Sequence, residues 1–261
     1  MNETVLKKRK FQMTLIFLGV IVLTYLSAWI TDYGFISSLE AVPGAMAWMA
    51  SNLLVNGEAL GKLPDIMDKL IETIFMSIAA TTIAAALSLF LAIMGSKTTM
   101  VNRAFGTFSR FVASLSRNIP VVAWSLILLL SFGQNSVTGF LALFVGTVGF
   151  LTRAFIETID EAALGSVEAL RATGATYWQI VSKAVVPQGL PQMVSWVLFM
   201  IETNIRSATL VGILTGTGIG YMFDMYYKTM NYEVVALITI TIVLAVILIE
   251  LLSTRIRKVI L

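Results

Sequence analysis

The sequence predicts an all-α polytopic membrane protein with about six transmembrane helices, and three observations support this fold class. Hydrophobic residues make up 57% of the 261 residues and charged residues only 13%, and the mean hydropathy is +0.87. Soluble domains carry about 25% charged residues, so too little charge is present here to cover a water-exposed surface. Several uncharged runs are as long as the roughly 20 helical residues that cross a hydrocarbon core. Basic residues flank those runs, which is the pattern left by membrane orientation.

The residue types that are missing exclude most catalytic chemistry. The sequence contains no Cys and no His, so thiolate nucleophiles, disulfides, the usual zinc and haem ligands and the commonest general base are absent. We therefore expect no catalytic residues, no metal site and no cofactor. The net charge of +3 does not indicate nucleic-acid binding, because the basic residues lie beside the apolar runs.

Six apolar runs are predicted to cross the membrane. The third carries Arg117 and Pro120 near its start, and the fourth is uncharged only as far as Thr152. In chain order the runs are Phe11–Ile30, Ile71–Gly95, Phe111–Gly133, Val137–Ile159, Gln188–Leu214 and Tyr232–Ser253.

The charges between these runs predict that both termini are cytoplasmic. Lys7–Lys10 precede the first run, and the segments Ser96–Arg110 and Thr254–Leu261 each hold three basic residues and no acid. Thr31–Lys69 holds five acids and two lysines and is predicted to lie outside. The first run is longer than a usual signal-peptide core, so we expect an uncleaved anchor rather than a cleaved signal.

We therefore divide the chain into residues 1–69, a membrane anchor with an extracytoplasmic segment, and residues 70–261, a transmembrane core. Within the first part, Ala41–Asn56 is apolar but too short to span, and we expect a helix at the outer interface. One six-helix unit does not form a pseudo-twofold pathway alone, so a homodimer is expected.

Arg103, Arg110 and Arg117 are spaced seven apart and share one face of a helix, with apolar residues between them. This pattern predicts an amphipathic elbow helix at the inner membrane surface. Retention of positive charge on the inner side is sufficient to explain the arginines themselves.

Two acidic residues lie near arginines in the last two runs. Glu202 and Arg206 are one helical turn apart inside the fifth run, where an arginine is costly to insert. Arg206, with Asn204 nearby, borders the path of an anionic substrate in one interpretation, and a structural Glu202–Arg206 ion pair is the other. Glu250 is predicted to pair with Arg255 at the surface.

The segment before the fifth run reads VEALRATGATYWQIVSKAVVPQGLPQ from Val167 to Gln192. It is polar enough to leave the membrane, yet its pattern is helical. Gly174 allows a helix to stop without a Cβ penalty, and Pro187 marks where the chain re-enters the bilayer. These features predict a short cytoplasmic helix–turn–helix that docks onto a partner. We call residues 160–187 the coupling loop.

The coupling loop resembles the signature of permease subunits of ABC importers, the binding-protein-dependent family. That signature is Glu-Ala-Ala, three residues, Gly, nine residues, Ile, one residue and Leu-Pro. At those places the sequence has Glu168, Ala169, Leu170, Gly174, Ala184, Val186 and Pro187. The resemblance implies that this loop sits in a cleft of a separate ATPase subunit, with Tyr177 and Trp178 supplying apolar contact. The chain has no GxxxxGK[ST] phosphate loop, so ATP must be bound by that partner.

Three further stretches resemble the phosphonate-type branch of that family. They are RNIPVVAW from Arg117 to Trp124, ETNIRSATLVGI from Glu202 to Ile213 and GTGIG from Gly216 to Gly220. Within them, Asn118, Glu202, Asn204 and Arg206 are candidate pathway residues, together with Gly216, Gly218 and Gly220 at a helix break near the pathway. Thr215 and Thr217 replace small residues that are common in the branch.

The resemblance implies the type I importer permease fold, in a homodimer that works with two ATP-binding subunits and an extracytoplasmic solute-binding protein. It also implies a multi-pass protein of the bacterial inner membrane that carries phosphonate or a related phosphorus oxyanion. An importer of another solute remains an alternative, with phosphite, phosphate, methionine or a quaternary amine as cargo. An integral-membrane enzyme and an ion channel are the alternatives from other classes; the coupling loop has no role in a channel.

Overall fold

The computed structural model describes residues 3–162 and 164–260, and every regular element within those ranges is helical. The chain forms two compact units, Met1–Leu54 and Val55–Leu261. The first contains α1 (Glu3–Ile30) and α2 (Phe35–Asn52). The second contains α3 (Gly57–Leu60), α4 (Leu63–Gly95), α5 (Arg103–Asn118), α6 (Val121–Phe132), α7 (Ser136–Ala162), α8 (Leu164–Ala172), α9 (Tyr177–Ile180), a π-helical segment (Val181–Val185), α10 (Val186–Thr215), α11 (Gly218–Lys228) and α12 (Tyr232–Ile260).

The first unit consists of two helices joined by a short turn. Its turn follows α1, where Asp32 has a φ of +51° and the rings of Tyr33 and Phe35 meet edge to face at 5.0 Å. Leu6–Ile30 is long and apolar enough to cross a membrane, as predicted for the first run. The second helix begins at Phe35, six residues before the predicted interfacial helix, and it includes Pro43.

Side-chain caps fix where several helices of the second unit begin. Asn56 accepts a hydrogen bond from the Ala59 amide at 2.8 Å before α3, and Asn102 accepts one from the Ala104 amide at 2.9 Å before α5. Each cap satisfies an amide that has no partner within its own helix. Pro64 lies in the first turn of α4, where its missing N–H costs nothing.

The seventh helix lies at the centre of the second unit and packs against α4, α5, α6 and α10. Leu151, Phe155 and Ile159 on α7 are buried together with Ile180 and Val185 of the coupling loop. Small residues allow the closest approaches. A Cβ on Gly149 would lie 2.5 Å from the backbone nitrogen of Arg117, so α5 crosses α7 at a point that only glycine permits.

In residues 3–162 and 164–260, five helices are long and apolar enough to cross a membrane, or six if the bent pair of α5 and α6 is one span. This agrees with the predicted total of about six. The third span, predicted over Phe111–Gly133, is wrong as a single helix, because α5 and α6 meet at 95°. Pro120 causes the break: Ile119 before it has extended backbone, with φ −95° and ψ 121°, as the residue before a proline prefers.

The predicted elbow helix is present as α5. Its small residues Gly106, Ser109, Ala113 and Ser116 are buried against the bundle. Its opposite face exposes four large apolar side chains, Phe105, Phe108, Phe111 and Leu115. Arg110 donates from Nε and Nη2 to the Gly95 carbonyl at 2.9 and 2.7 Å, so this arginine satisfies a carbonyl at the end of α4. Its position at the membrane surface stays a prediction.

Candidate functional site

The coupling loop forms the expected helix–turn–helix. The first piece, α8, ends at Ala172, and α9 begins at Tyr177. Gly174 lies in the turn with a φ of +77°, and the Ala175 amide donates to the Leu170 carbonyl at 3.1 Å. Only glycine adopts this backbone conformation without a steric cost.

One side of the coupling loop packs on the bundle and the other side is free. Val167, Ile180, Ala184 and Val185 are buried in the core that surrounds α7. Glu168, Ala169, Gly174, Trp178 and Pro187 are exposed, and Leu170 and Tyr177 are half-buried. The rings of Tyr177 and Trp178 meet edge to face at 5.6 Å. The loop therefore presents a firmly held outer surface that includes a large aromatic side chain.

Hydrogen bonds tie the coupling loop to the segment between α4 and α5. Arg171 donates from Nη2 to the Thr98 carbonyl at 2.8 Å. Thr98 in turn donates to Asp160 Oδ1, at 3.1 Å from its amide and 3.0 Å from its hydroxyl. The Ser96 hydroxyl donates to the same carboxylate oxygen at 2.5 Å. These hydrogen bonds thus link α8 to the end of α4.

Pro187 does not interrupt the chain's helical path. It lies in the first turn of α10, and Tyr177–Thr215 runs as one helical stretch. The π-helical turn Val181–Val185 precedes it. A proline has no N–H to donate to the preceding turn, and the wider π turn accommodates this inside a continuous helix.

Glu202 is the centre of a cluster of three charges. Its Oε1 accepts from Arg206 Nη1 at 2.7 Å, and its Oε2 accepts from Arg257 Nη2 at 3.2 Å. Glu202 is only 8% exposed, while the Arg206 side chain is 45% exposed. The ion pair expected from the sequence is present, and Arg206 is also accessible from outside the unit, so the two interpretations of Arg206 are compatible.

Arg257 is the member of this cluster that the sequence did not indicate. It lies 55 residues from Glu202, at the end of α12. Its Nε is buried and has no hydrogen-bond partner among the described residues. The only local signal is a basic residue that comes late in a long apolar helix, which by itself is typical of a membrane boundary.

Asn204 joins three helices. It is buried and donates from Nδ2 to Thr81 Oγ1 at 2.8 Å and to Thr147 Oγ1 at 2.7 Å. Both hydroxyls already donate to carbonyls of their own helices, so they act as acceptors for the amide. Both amide hydrogens are therefore used in packing α10 against α4 and α7.

The glycine segment breaks the helix between α10 and α11. Gly216 has a φ of +71° and Gly218 a φ of +59°, which end α10 and start α11 in a new direction. Gln134 donates from Nε2 to the Leu214 carbonyl at 3.2 Å. A Cβ on Gly220 would lie 2.0 Å from the Thr209 carbonyl oxygen, so this glycine serves close packing of the two helices.

Asn118 lies at the end of α5 beside a surface cavity of about 270 Å³. Two arginines line the same cavity, Arg117 and Arg153. Arg153 is not among the residues that the sequence pattern indicated. A basic residue inside the apolar run that forms α7 was the signal that would have found it.

No group of three or more His, Cys, Asp or Glu in residues 3–162 and 164–260 is arranged to hold a metal ion. Lys69 pairs with Glu72 at 2.7 Å and Lys228 with Asp224 at 2.6 Å. The predicted Glu250–Arg255 pair is wrong: these two described residues form no ion pair, because residues five apart point to different faces of a helix.

The chain is similar in sequence to several transport permease proteins. Over 203 residues, the chain is 30% identical to the phosphate-import permease protein PhnE of Mycolicibacterium smegmatis, covering 78% of this chain and 38% of that protein. It is 33% identical over 189 residues to the phosphite transport system permease protein PtxC of Stutzerimonas stutzeri, covering 72% of this chain and 69% of that protein. A putative cryptic phosphonate transport system permease protein of Escherichia coli, PhnE2, is 35% identical over 118 residues, covering 45% of this chain and 97% of that protein.

The fold is also that of solved importer permeases. An inward-facing structure of the MetNI methionine ABC transporter matches with a TM-score of 0.66 and 22% identity, over 75% of this chain and 96% of that one. Residues 84–260 match the family model described as binding-protein-dependent transport system inner membrane component. These residues are more than half of the chain and include the coupling loop, the Glu202 cluster and the glycine segment. The chain therefore belongs to the family of inner membrane components of binding-protein-dependent transport systems.

Proposed function

We propose that this protein is the permease subunit of an ATP-driven importer that carries phosphonate or a related phosphorus oxyanion across the bacterial inner membrane. The observation that carries this proposal is the coupling loop, whose buried side is fixed to α7 and whose outer side is free. Such a surface suits the transmission of a partner's movement into a helical bundle. The 261 residues contain no phosphate loop, so a separate subunit hydrolyses ATP.

The docking surface consists of residues on the outer side of the coupling loop. Glu168, Ala169 and Leu170 lie in its first helical piece, Gly174 forms the turn, and Tyr177 and Trp178 supply apolar contact. Pro187 lies at the end of the loop, in the first turn of α10. The exposed Trp178 side chain favours this assignment, since exposed aromatic residues are enriched at protein interfaces.

The working assembly is a homodimer with two ATP-binding subunits and an extracytoplasmic solute-binding protein. Arg153 and Arg206 support the dimer, because both lie on helices that qualify as spans and both are partly exposed in one protomer. An arginine facing lipid is costly, so such side chains face a water-filled path or a second copy. Arg206 is the main pathway residue in this proposal, with Glu202, Asn118 and the glycine segment of Gly216, Gly218 and Gly220 bordering the same path. Asn204 holds the helix that carries Arg206.

Both termini lie in the cytoplasm, and the segment between α1 and α4 lies outside. The basic residues before α1, between α4 and α5, and after α12 support this orientation. Single cysteines in this Cys-free chain test it: a membrane-impermeant maleimide should label Glu58→Cys in intact cells and not Val101→Cys. The reverse result would overturn the orientation.

The substrate is proposed from the named relatives and from the chemistry of Arg206. A guanidinium binds phosphorus-oxygen groups through paired hydrogen bonds and stays charged at any working pH. A methionine importer is the second candidate, because a probable D-methionine transport system permease of Pasteurella multocida is 26% identical over 200 residues and is covered over 92% of its length.

The proposed function is tested on the purified assembly. The tagged chain should co-purify with an ATP-hydrolysing subunit, at a mass that requires two copies of each. Calorimetry on the cognate solute-binding protein should detect binding of methylphosphonate or phosphite. Binding of methionine alone would make methionine the substrate and leave the assignment as an importer permease standing. Failure to recover any ATPase would contradict the proposal as a whole.

A further inference from the structure

A polar cavity lies between α5 and α7, and its lining residues do not include Glu202, Arg206 or Arg257. Its volume is about 270 Å³. It is lined by Ala113, Ser114, Arg117, Asn118, Arg153 and Glu157. We call this cavity the arginine pocket. Two guanidinium groups and one carboxylate face it, so its net charge is positive.

The position of Arg153 requires an explanation. It lies nine residues before the end of α7, a helix that qualifies as a membrane span. Its side chain is nevertheless 48% exposed in the protomer. A charged side chain that is exposed on such a helix is retained where it faces water, a partner or a transported ion.

The two arginines keep hydrogen-bond donors free. Arg153 donates from Nε to Glu157 Oε1 at 2.6 Å, and its two terminal nitrogens make no hydrogen bond within the described part of the chain. The Arg117 guanidinium lies over the Phe150 ring at 5.9 Å, and it forms no ion pair with any carboxylate of residues 3–162 or 164–260. Stacking on an aromatic ring orients a guanidinium without occupying its N–H groups.

We infer that the arginine pocket is an oxyanion-binding station on the transport path, separate from Arg206, and that Arg117 and Arg153 together hold a phosphonate or phosphite. This inference rests on the proposed function. Guanidinium groups suit a tetrahedral oxyanion because each offers two parallel donors. Glu157 neutralises part of the charge, so the anion is attracted without being trapped, as a transport path requires.

An adjacent acidic cavity limits anion binding on one side of the station. A second cavity of about 530 Å³ shares Glu157 with the arginine pocket and adds Glu161 and Gln192 to its lining. It contains no arginine or lysine among its lining residues. An anion that leaves the pocket on this side passes from a net positive to a net negative surface, so binding is confined to the pocket.

The first test measures occupancy without transport. The chain has no cysteine, so Ser114→Cys places a single thiol in the pocket. In the purified assembly, methylphosphonate should slow its reaction with a charged maleimide by about fivefold or more, as expected when paired charge-assisted hydrogen bonds hold a ligand beside the thiol. Thr107→Cys, exposed on the same helix but outside the pocket, is the control and should be unaffected. Equal labelling of Ser114→Cys with and without methylphosphonate overturns the inference.

The second test measures uptake per assembled complex. Arg117→Gln and Arg153→Gln should each lower methylphosphonate or phosphite uptake by about tenfold or more, and Arg153→Lys should retain part of it because the charge remains. Arg103→Gln removes the same charge from α5 outside the pocket and should leave uptake unchanged. Normal uptake in both glutamine variants contradicts the station while the proposed function stands. If the wild-type assembly imports neither probe but Ser114→Cys is protected, the pocket binds the oxyanion without carrying it, and both the station on the path and the proposed substrate fall.

Discussion

Arg171 of the coupling loop donates a hydrogen bond from Nη2 to the Thr98 carbonyl oxygen at 2.8 Å. Thr98 is held in turn by Asp160 at the end of α7. This contact connects the proposed docking surface to the end of α4, and α4 packs along the central helix α7. α8 is therefore joined to the bundle by hydrogen bonds as well as by the chain itself.

We predict that Arg171→Gln uncouples the permease from its ATPase while the complex still assembles. The variant loses the charged donor to Thr98, and a charge-assisted hydrogen bond contributes about 1.5–3 kcal/mol. Substrate-stimulated ATP hydrolysis in proteoliposomes should fall about tenfold or more, since about 1.4 kcal/mol corresponds to a factor of ten. Lys183→Gln is the matched control, because it removes one charge from the same loop without touching Thr98. Full stimulation in Arg171→Gln would show that the contact does not transmit movement.

The turn at Gly174 is predicted to be essential for docking. Its φ of +77° is unfavourable for a β-branched residue by about 1–2 kcal/mol, so Gly174→Val should deform the turn and weaken binding of the ATPase subunit. Gly174→Asn should retain most binding, since asparagine tolerates this conformation. Gly165→Ala, which adds a Cβ in open space on α8, should be neutral. Co-purification of the ATPase at wild-type yield with Gly174→Val would count against the docking assignment.

Asn204 is predicted to stabilise the bundle. Asn204→Leu removes both hydrogen bonds to Thr81 and Thr147, and two interhelical hydrogen bonds in a membrane contribute about 1–3 kcal/mol together. The purified protein should unfold at a lower temperature, while uptake per folded complex remains close to normal. Unchanged thermal stability combined with lost uptake would instead assign Asn204 to the transport path.

Arg206 is predicted to serve transport more than folding. Arg206→Ala should abolish uptake of methylphosphonate while the complex assembles, because Glu202 keeps Arg257 as a partner. Arg206→Lys should retain partial uptake, since it keeps the charge but loses the planar fork.

Arg257→Ala is the informative comparison for Arg206. It removes the other partner of Glu202 and should lower the amount of assembled complex more than the uptake of the complex that remains. If Arg206→Ala shows normal uptake per assembled complex, the Glu202–Arg206 pair is structural only.

Local patterns in the sequence predicted much of this fold. The apolar runs predicted α1, α4, α7, α10 and α12, and the spacing of the arginines in α5 predicted its amphipathic character. The Glu202–Arg206 pair was predictable because the two residues are one helical turn apart. Pro120 was visible in the third run, but composition alone did not show that it divides the run into two helices at 95°.

Contacts between distant residues were not predictable in the same way. Arg257 reaches Glu202 across 55 residues, and Asn204 reaches Thr81 across 123. Their pairing depends on how the helices pack, and the period of a hydrophobic pattern does not specify which helix lies beside which. The arginine pocket was not predicted for the same reason: Arg117 and Arg153 line one cavity because of how α5 packs on α7 beside Gly149.

The central claim is that this chain forms the path of an ATP-driven importer for a phosphorus oxyanion. The most direct measurement is uptake of radiolabelled methylphosphonate into proteoliposomes that contain the full assembly. The solute-binding protein is added outside the vesicles, and ATP is enclosed inside them with the partner subunit. The account predicts accumulation that requires both ATP and the binding protein, and that is lost when Gly174→Val replaces the wild-type chain. Accumulation without ATP, or equal accumulation with Gly174→Val, would contradict it.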